Sequence, residues 1–153
     1  MSQLELKIPP VGMFLLFLFA LLGLQAVTPG HEISPAFRVL AGLVLLAASG
    51  VFGITGILHF KRAGTSVHPL ELERSSVLVT HGVYAISRNP MYLALLLALL
   101  AYGFVMSNGY CIAFAVLFVP VMNRFQIIPE ERVLAERFGA AFIAYCRETR
   151  RWI

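Results

Sequence analysis

Residues 36–58 decide the fold and read AFRVLAGLVLLAASGVFGITGIL. The only charged side chain in this stretch is that of Arg38, near its start. A helix that crosses a bilayer needs about 20 consecutive apolar residues, with a range of about 17 to 25. Inside lipid every backbone polar group must be hydrogen-bonded, and a helix achieves this within one segment. The stretch therefore predicts a helix that spans a membrane.

The overall composition agrees with a membrane location. Of the 153 residues, 59% are apolar and 13% are charged, whereas a typical soluble domain is about half apolar and about a quarter charged. The formal net charge of +4 would also suit a nucleic-acid partner. However, the basic residues flank apolar blocks and do not form a basic surface with interleaved aromatic residues. We therefore expect membrane lipids as partners, and no nucleic acid.

Three further apolar blocks cover residues 11–27, 91–106 and 110–128. Turn-forming triplets separate the members of each sequential pair, Thr28-Pro29-Gly30 in the first pair and Ser107-Asn108-Gly109 in the second. We predict an all-α membrane protein of about four transmembrane helices, arranged as two hairpins. The first block would also fit a signal peptide, but no convincing A-x-A-like cleavage site follows it.

Two details of the apolar blocks concern helix packing. Ser49, Gly53 and Gly56 recur at helical spacing, and small residues of this kind allow another helix to approach closely. Pro120 lies inside the fourth block and predicts a kink there. Such a kink either opens a lateral gap for a lipophilic substrate or serves packing alone.

Lysine and arginine residues set the expected orientation. They concentrate at the N-terminus, between the two hairpins and in the C-terminal part, whereas Arg38 alone lies beside the opposite turns. Because these residues favour the cytoplasmic side of a membrane, we expect an integral protein of the cytoplasmic membrane. Both termini and the central loop should then be cytoplasmic.

Residues 129–152 show a different pattern. Apolar side chains recur every three or four residues at Leu134, Phe138, Phe142 and Tyr145. This spacing predicts an amphipathic helix along the cytoplasmic face. Inside it, Gly139 predicts close packing or a local break, because glycine costs about 1 kcal/mol relative to alanine in a helix. A surface anchor without a catalytic role is the alternative interpretation of this segment.

The loop between the two hairpins concentrates residues that can carry chemistry. Pro90 suits the first position of a helix, so Arg88 and Asn89 would lie at a helix entrance that favours a carboxylate or a phosphate. Tyr84 and Tyr92 flank this entrance in the sequence. In the alternative interpretation, Arg88 is only a topological charge and the two tyrosines are only interface aromatics.

Two motifs resemble those of a known enzyme family. The first motif is Leu78-Val79-Thr80-x-Gly82-x-Tyr84-x-x-x-Arg88-Asn89-Pro90-Met91-Tyr92, and the second is Glu130-Glu131-x-x-Leu134-x-x-x-Phe138-Gly139-x-x-Phe142-x-x-Tyr145. Together they resemble the isoprenylcysteine carboxyl methyltransferase family, which with its phospholipid N-methyltransferase relatives comprises integral membrane enzymes that use S-adenosylmethionine. The resemblance covers about residues 64–152. It implies one methyltransferase domain over residues 1–153, with a first hairpin at about 11–58 and the cofactor loop and catalytic part at about 59–153.

The resemblance also implies site residues. The family's cofactor contacts fall on Ser76, Val77, Leu78, Val79, Tyr84, Asn89, Pro90, Met91, Tyr92 and Glu130. Candidate catalytic residues are Arg88, Glu131 and Arg124, and candidate substrate contacts are Gln126, His68 and His81. We expect S-adenosylmethionine as the cofactor and no metal.

Three positions depart from the family pattern. Asn89 stands where eukaryotic members have histidine, His81 where serine is frequent, and Gln126 where the eukaryotic enzymes have an arginine. These departures leave the substrate less well determined than the cofactor. We expect a small lipophilic or membrane-bound acceptor, and favour a prenylcysteine-like carboxylate or another oxygen or sulfur acceptor. The alternatives are a phospholipid or amine acceptor, for which His68 or His81 could serve as a base, and a non-catalytic scaffold or binding protein.

Overall fold

The computed structural model describes residue 6 and residues 8–62 and 77–153. Ser76 and His68, predicted above as a cofactor contact and a substrate contact, lie outside the described residues. The α-helices are α1 (Pro10–Val27), α2 (Pro35–Arg62), α3 (Pro90–Val105), α4 (Gly109–Val116), α5 (Phe118–Met122), α6 (Ile128–Phe138) and α7 (Ala140–Glu148). A 3-10 turn covers Gly82–Ala85, and a π-helical turn covers Asn123–Ile127. The described residues contain no strand, and the predicted all-α fold is confirmed.

Three helical stretches are long and apolar enough to cross a membrane, judged by length and composition. They are Pro10–Val27, Pro35–Arg62 and Gly109–Phe138, the last of which runs through α4, α5, the π-helical turn and α6. The apolar helix α3 is shorter, with 16 residues. At about 1.5 Å per residue α3 extends about 24 Å, which is less than the roughly 30 Å of a bilayer's hydrocarbon layer. The four predicted blocks thus correspond to four apolar helices.

The packing order of these helices differs from their order along the chain. α2 packs mainly against α3, whereas α1 packs against α4, α3 and α5. On α1, the side chains of Met13, Phe17 and Leu21 are buried at a spacing of one turn. The Phe17 ring lies 5.2 Å from the rings of both Phe114 and Phe118, measured between centroids, within the range that favours aromatic pairs. The two sequential hairpins therefore share one core, with α3 in contact with all the other apolar helices.

Small residues form the contact between α2 and α3. The Ser49 hydroxyl donates a hydrogen bond of 2.8 Å to the Ala94 carbonyl, and a Cβ added at Gly53 would lie 3.3 Å from the Cβ of Ala94. At the two ends of the contact, Gly42 faces Val105 and Gly56 faces Met91. The predicted packing role of the small residues is confirmed. This register leaves residues 57–62 of α2 extending about 9 Å past the start of α3.

The fourth apolar helix is irregular near its two prolines. Leu117 separates α4 from α5, three residues before Pro120, and its N–H donates to the Phe114 carbonyl with the spacing of a tighter turn. Pro129 has no N–H, so it cannot donate to the Phe125 carbonyl as a helical residue would. The N–H of Leu6 donates to that carbonyl instead, at 3.1 Å. The predicted disturbance at Pro120 is therefore present, and a second one precedes Pro129.

The C-terminal amphipathic segment is divided differently from the single helix predicted over residues 129–152. Its first part, α6, continues directly from the fourth apolar helix, and its second part, α7, ends at Glu148. Gly139 separates α6 from α7 with a φ of +51°, which residues with a Cβ rarely adopt. A Cβ on Gly139 would meet nothing within 4 Å. Of the two outcomes predicted for Gly139, the local break is the one observed.

The two short connections between apolar helices meet at one end of the bundle, which we call the far end. The Ser107 hydroxyl donates to the His31 carbonyl at 2.5 Å, and the Asn108 amide donates to the Thr28 hydroxyl at 2.8 Å. Asn108 also caps α4, because its Oδ1 accepts from the N–H groups of Tyr110 and Cys111. These bonds join the two hairpins at the far end. The opposite end, where α2 ends and α3 begins, is called the site end below.

The contact between α3 and α4 generates a prediction about stability. A Cβ at Gly103 would lie 3.1 Å from the backbone nitrogen of Ile112, whereas a Cβ at Gly50 would meet nothing within 4 Å. We expect Gly103→Ala to lower the free energy of unfolding by about 1 to 3 kcal/mol, because the two backbones must separate. Gly50→Ala should be neutral or stabilising, because alanine is the better helix former. Thermal unfolding midpoints in one detergent test this, and equal midpoints for the two variants would contradict it.

Candidate active site

A cleft of about 720 Å³ opens at the site end of the bundle. Its walls come from the end of α2, the loop before α3, the first turn of α3, α6 and α7. The residues that line it are Phe60, Val77, Leu78, Val79, Tyr84, Arg88, Asn89, Pro90, Met91, Tyr92, Glu130, Glu131, Leu134, Phe142 and Tyr145. Segments far apart in the sequence thus form one concave site.

A buried carboxylate lies on one wall of the cleft. Glu130 is 8% exposed, and its Oε1 accepts hydrogen bonds from the Tyr92 hydroxyl at 2.5 Å and from Gln126 Nε2 at 2.6 Å. Gln126 itself is fully buried, and its Oε1 has no partner among the described residues. The position of Gln126 follows from the helix, because it precedes Glu130 by four residues and so lies on the same face. Two donors therefore hold one oxygen of the carboxylate in place.

Tyr84 brings a neutral hydroxyl to the cleft. It lies in the 3-10 turn Gly82–Ala85, is buried, and its hydroxyl has no hydrogen-bond partner among the described residues. Burial raises the pKa of Tyr84 well above its ordinary value, and the nearby Tyr145 and Glu130 raise it further. The ring of Phe60 lies 5.2 Å from that of Tyr84, and the Tyr145 hydroxyl donates to the Tyr84 carbonyl at 2.6 Å. Tyr84 therefore stays protonated, and its hydroxyl is a buried polar group without a described partner in a residue that lines the cleft.

A glycine with a positive φ shapes the loop that carries Tyr84. Gly82 has a φ of +65°, which glycine adopts without steric cost. A Cβ at Gly82 would clash with the imidazole ring of His59, so a larger residue there would force the ring to move. His59 also contacts His81, with ring centroids 5.0 Å apart. His81 is exposed and is not among the described residues that line the cleft.

Arg88 connects the entrance of α3 to the end of α7. Its Nη1 donates to the carbonyls of Cys146 at 3.1 Å and Thr149 at 2.7 Å, and its Nη2 donates to Glu131 Oε1 at 2.7 Å. The buried Nε of Arg88 has no partner among the described residues. Arg151 binds the same carboxylate, with its Nε 3.1 Å from Oε1 and its Nη2 2.7 Å from Oε2 of Glu131. Hydrogen bonding to Glu131 raises the pKa of Arg151.

Backbone groups extend this connection along the C-terminal segment, residues 149–152. The N–H of Arg88 donates to the Arg150 carbonyl at 3.0 Å, and Asn89 Nδ2 donates to the Arg151 carbonyl at 2.9 Å. At the end of the segment, Trp152 Nε1 donates to Asn123 Oδ1 at 3.0 Å. The C-terminal segment is therefore fixed to the start of α3 and to the π-helical turn.

Comparison with known protein families identifies the chain. The sequence model of a family described as phospholipid methyltransferase matches residues 37–141, which is more than half of the chain. The chain belongs to the phospholipid methyltransferase family. This membership confirms, at the level of the family, the resemblance found in the sequence, and it makes the chain a membrane methyltransferase that requires a methyl donor.

A match to an individual protein covers a smaller part of the chain. An uncharacterised protein of Haemophilus influenzae is 40% identical over 63 residues, which are 41% of this chain and 100% of that protein. No solved structure matches the chain.

The structure brings most of the predicted site residues of this methyltransferase together. Of the predicted cofactor contacts, those that line the cleft are Val77, Leu78, Val79, Tyr84, Asn89, Pro90, Met91, Tyr92 and Glu130. Of the predicted catalytic residues, Arg88 and Glu131 line it, whereas Arg124 does not and places its guanidinium 5.7 Å from the centroid of the Phe125 ring. Gln126 lies behind Glu130 and does not line the cleft. The chemical roles assigned to all these residues stay predictions.

Four residues line the cleft without having been assigned to the site. Leu134, Phe142 and Tyr145 belong to the apolar stripe of the C-terminal segment, and Phe60 lies in the last turn of α2. The stripe was a detectable signal, because its residues lie on the face of α6 and α7 that turns toward the core. Phe60 followed an apolar block and carried no signal of its own. Among the described residues, no group of three or more His, Cys, Asp or Glu side chains could hold a metal ion.

Proposed function

We propose that the chain transfers a methyl group from S-adenosylmethionine to a lipophilic acceptor that reaches the cleft from the membrane. Family membership supports methyl transfer. The observation that carries the choice of donor is that one cleft is lined by Tyr84, whose buried hydroxyl has no described partner, and by the buried Glu130. A donor with hydroxyl, amine and aromatic groups has partners for each of these in such a cleft.

The residues of the cleft fit this donor. The Glu130 carboxylate can accept hydrogen bonds from ribose hydroxyls or from an ammonium group, and the Tyr84 hydroxyl can donate or accept one more. The rings of Tyr84, Tyr92 and Phe60 offer faces that attract a cation. The apolar residues Val77, Leu78 and Val79 can pack against the donor's base. When bound, S-adenosylmethionine supplies an electrophilic methyl group on a positively charged sulfur.

The protein's contribution to such a transfer is mainly placement. Methyl transfer from a sulfonium disperses positive charge, so the chain needs to align donor and acceptor and to exclude water. The hydrogen bonds from Tyr92 and Gln126 hold Glu130 in one orientation, and the bond from Tyr145 holds the turn that carries Tyr84. The apolar side chains of α6 and α7 shield the cleft. Fixed partners of this kind lower the cost of orienting bound molecules.

For the acceptor we favour a prenylcysteine-like carboxylate or another oxygen or sulfur nucleophile. A carboxylate or thiolate is already anionic and needs no base, whereas an amine must lose a proton. The second candidate is a phospholipid amine, and the description of the matching family favours it. Both acceptors are lipophilic, which agrees with a cleft between apolar helices.

Binding of the product analogue S-adenosylhomocysteine tests the donor site. We expect Glu130→Gln to raise its dissociation constant roughly 10- to 100-fold, because a charge-assisted hydrogen bond is worth about 1.5 to 3 kcal/mol. Tyr84→Phe should raise it roughly 3- to 10-fold, because a neutral hydrogen bond is lost. Tyr110→Phe is the matched control, since Tyr110 is exposed at the far end. Isothermal titration calorimetry measures the dissociation constants of the three variants. A lack of saturable binding to the unmutated protein would contradict the proposal.

Labelled methyl transfer identifies the acceptor. The purified protein is incubated with methyl-labelled S-adenosylmethionine and either a membrane lipid extract or a prenylcysteine analogue. We expect label in the prenylcysteine analogue or in an oxygen or sulfur acceptor of the extract, identified by mass. Label found only in phospholipid headgroups would replace our favoured acceptor by the second candidate.

We also propose that the site end faces the cytoplasm. Lys61 and Arg62 end α2, and Arg147, Arg150 and Arg151 lie at the same end, which agrees with the preference of basic residues for the cytoplasm. Single cysteines introduced as Arg150→Cys and Glu32→Cys, with Cys111 and Cys146 replaced by alanine, test this in intact cells. We expect a membrane-impermeant thiol reagent to label position 32 and to leave position 150 unlabelled. Labelling of position 150 alone would show that the site end faces the opposite side of the membrane.

A further inference from the structure

We propose that Arg151 is a positioning residue for the methyl donor, although it is not among the described residues that line the cleft. It acts through Glu131 and Arg88, and we call these three side chains the latch. The latch fastens the end of α7 to the start of α3. The proposal rests on the proposed function, because the effect of the latch is measured as the affinity of the cleft for S-adenosylhomocysteine.

Three hydrogen bonds from Arg151 and Arg88 hold the Glu131 carboxylate. Arg151 binds both oxygens of this carboxylate with its fork, and Arg88 binds one of them through Nη2. A carboxylate held by a two-point arginine contact has a defined plane. Without Arg151, Oε2 of Glu131 loses the hydrogen bond from Nη2 of Arg151, and the carboxylate can rotate away from Arg88. Arg151 therefore fixes the geometry of the Arg88 contact.

Arg88 in turn holds the C-terminal end of α7. The last carbonyls of a helix lack donors within the helix and form its negative end. Arg88 Nη1 supplies a cationic donor to the carbonyls of Cys146 in α7 and of Thr149 just after it. The other end of α7 begins at the backbone break of Gly139. The position of α7 therefore depends strongly on the contact at its C-terminal end.

α7 forms part of the cleft wall. α7 contributes Phe142 and Tyr145 to the lining, and Tyr145 holds the carbonyl of Tyr84. A displaced α7 would move both the apolar wall and the turn that carries the Tyr84 hydroxyl. Loss of the latch should therefore weaken donor binding without removing any group that we assign to the donor.

Two variants and one control test the latch. We expect Arg151→Gln to raise the dissociation constant for S-adenosylhomocysteine about threefold, because the pair is partly exposed and such pairs are weak. Arg88→Lys should raise it about tenfold, because lysine lacks the two separate nitrogens with which Arg88 binds Glu131 and the carbonyls at the end of α7. For Arg151→Gln the maximal transfer rate at saturating donor should stay within about twofold of the unmutated rate, since Arg151 does not line the cleft and no reacting group has changed. Arg147→Gln is the matched control, because Arg147 is exposed on α7.

Two further measurements separate positioning from a direct role. The double variant Arg88→Lys, Arg151→Gln should bind no more weakly than Arg88→Lys alone, because both changes open the same latch. If the dissociation constant of the double variant rose by the product of the two single effects, the proposal would be overturned. Amide hydrogen exchange in residues 140–149 of the unliganded protein should accelerate in Arg151→Gln and not in Arg147→Gln, and equal exchange in the two would also overturn it. Because this comparison needs no ligand, it decides the latch even if the unmutated protein fails to bind S-adenosylhomocysteine, a result that would refute the proposed function instead.

Discussion

Burial of the Glu130 carboxylate is the constraint on which the site end depends. A buried carboxylate is costly unless hydrogen bonds replace those it made with water. Here the donors are Tyr92 from α3 and Gln126 from the fourth apolar helix. Because the two donors come from different helices, the polar requirement of one side chain fixes the relative position of both helices. The same carboxylate then presents a polar group inside an otherwise apolar cleft.

The backbone around Glu130 is arranged to meet this requirement. Pro129, directly before it, removes one helical hydrogen bond, and the chain widens into the π-helical turn Asn123–Ile127. The freed Phe125 carbonyl accepts from Leu6, so the segment before α1 contacts the helix one turn from the carboxylate. Insertions of this kind are frequent at functional sites. Gln126 lies in this turn and donates to Glu130 without lining the cleft.

Sequence patterns predicted the elements well and the contacts between distant residues less well. Apolar block length predicted the four helices, and the spacing of small residues predicted a close helix contact on α2 without naming α3 as the partner, because both signals are local. The motifs gave most of the cleft lining, including Tyr84, Tyr92 and Glu130. The sequence did not indicate that α6 continues the fourth helix, since residues 129–152 were predicted as a separate amphipathic helix. It also did not indicate that the donors of Arg88 bind the C-terminal segment, because that pairing joins residues about sixty positions apart.

On the proposed function, one cleft must receive a donor from water and an acceptor from lipid, and the unequal lengths of α2 and α3 suit this requirement. α2 has 28 residues and α3 has 16, and the contacts of Gly42 and Gly56 align α3 with the middle of α2. The last turns of α2 therefore stand past the start of α3, and Phe60 lines the cleft from this overhang. Because Gly56 of α2 faces the start of α3, the first turn of α3 begins about 9 Å short of the end of α2. On the proposed function, a water-borne donor can thus descend to the depth of a lipid's reactive group, and the acceptor need not leave the membrane.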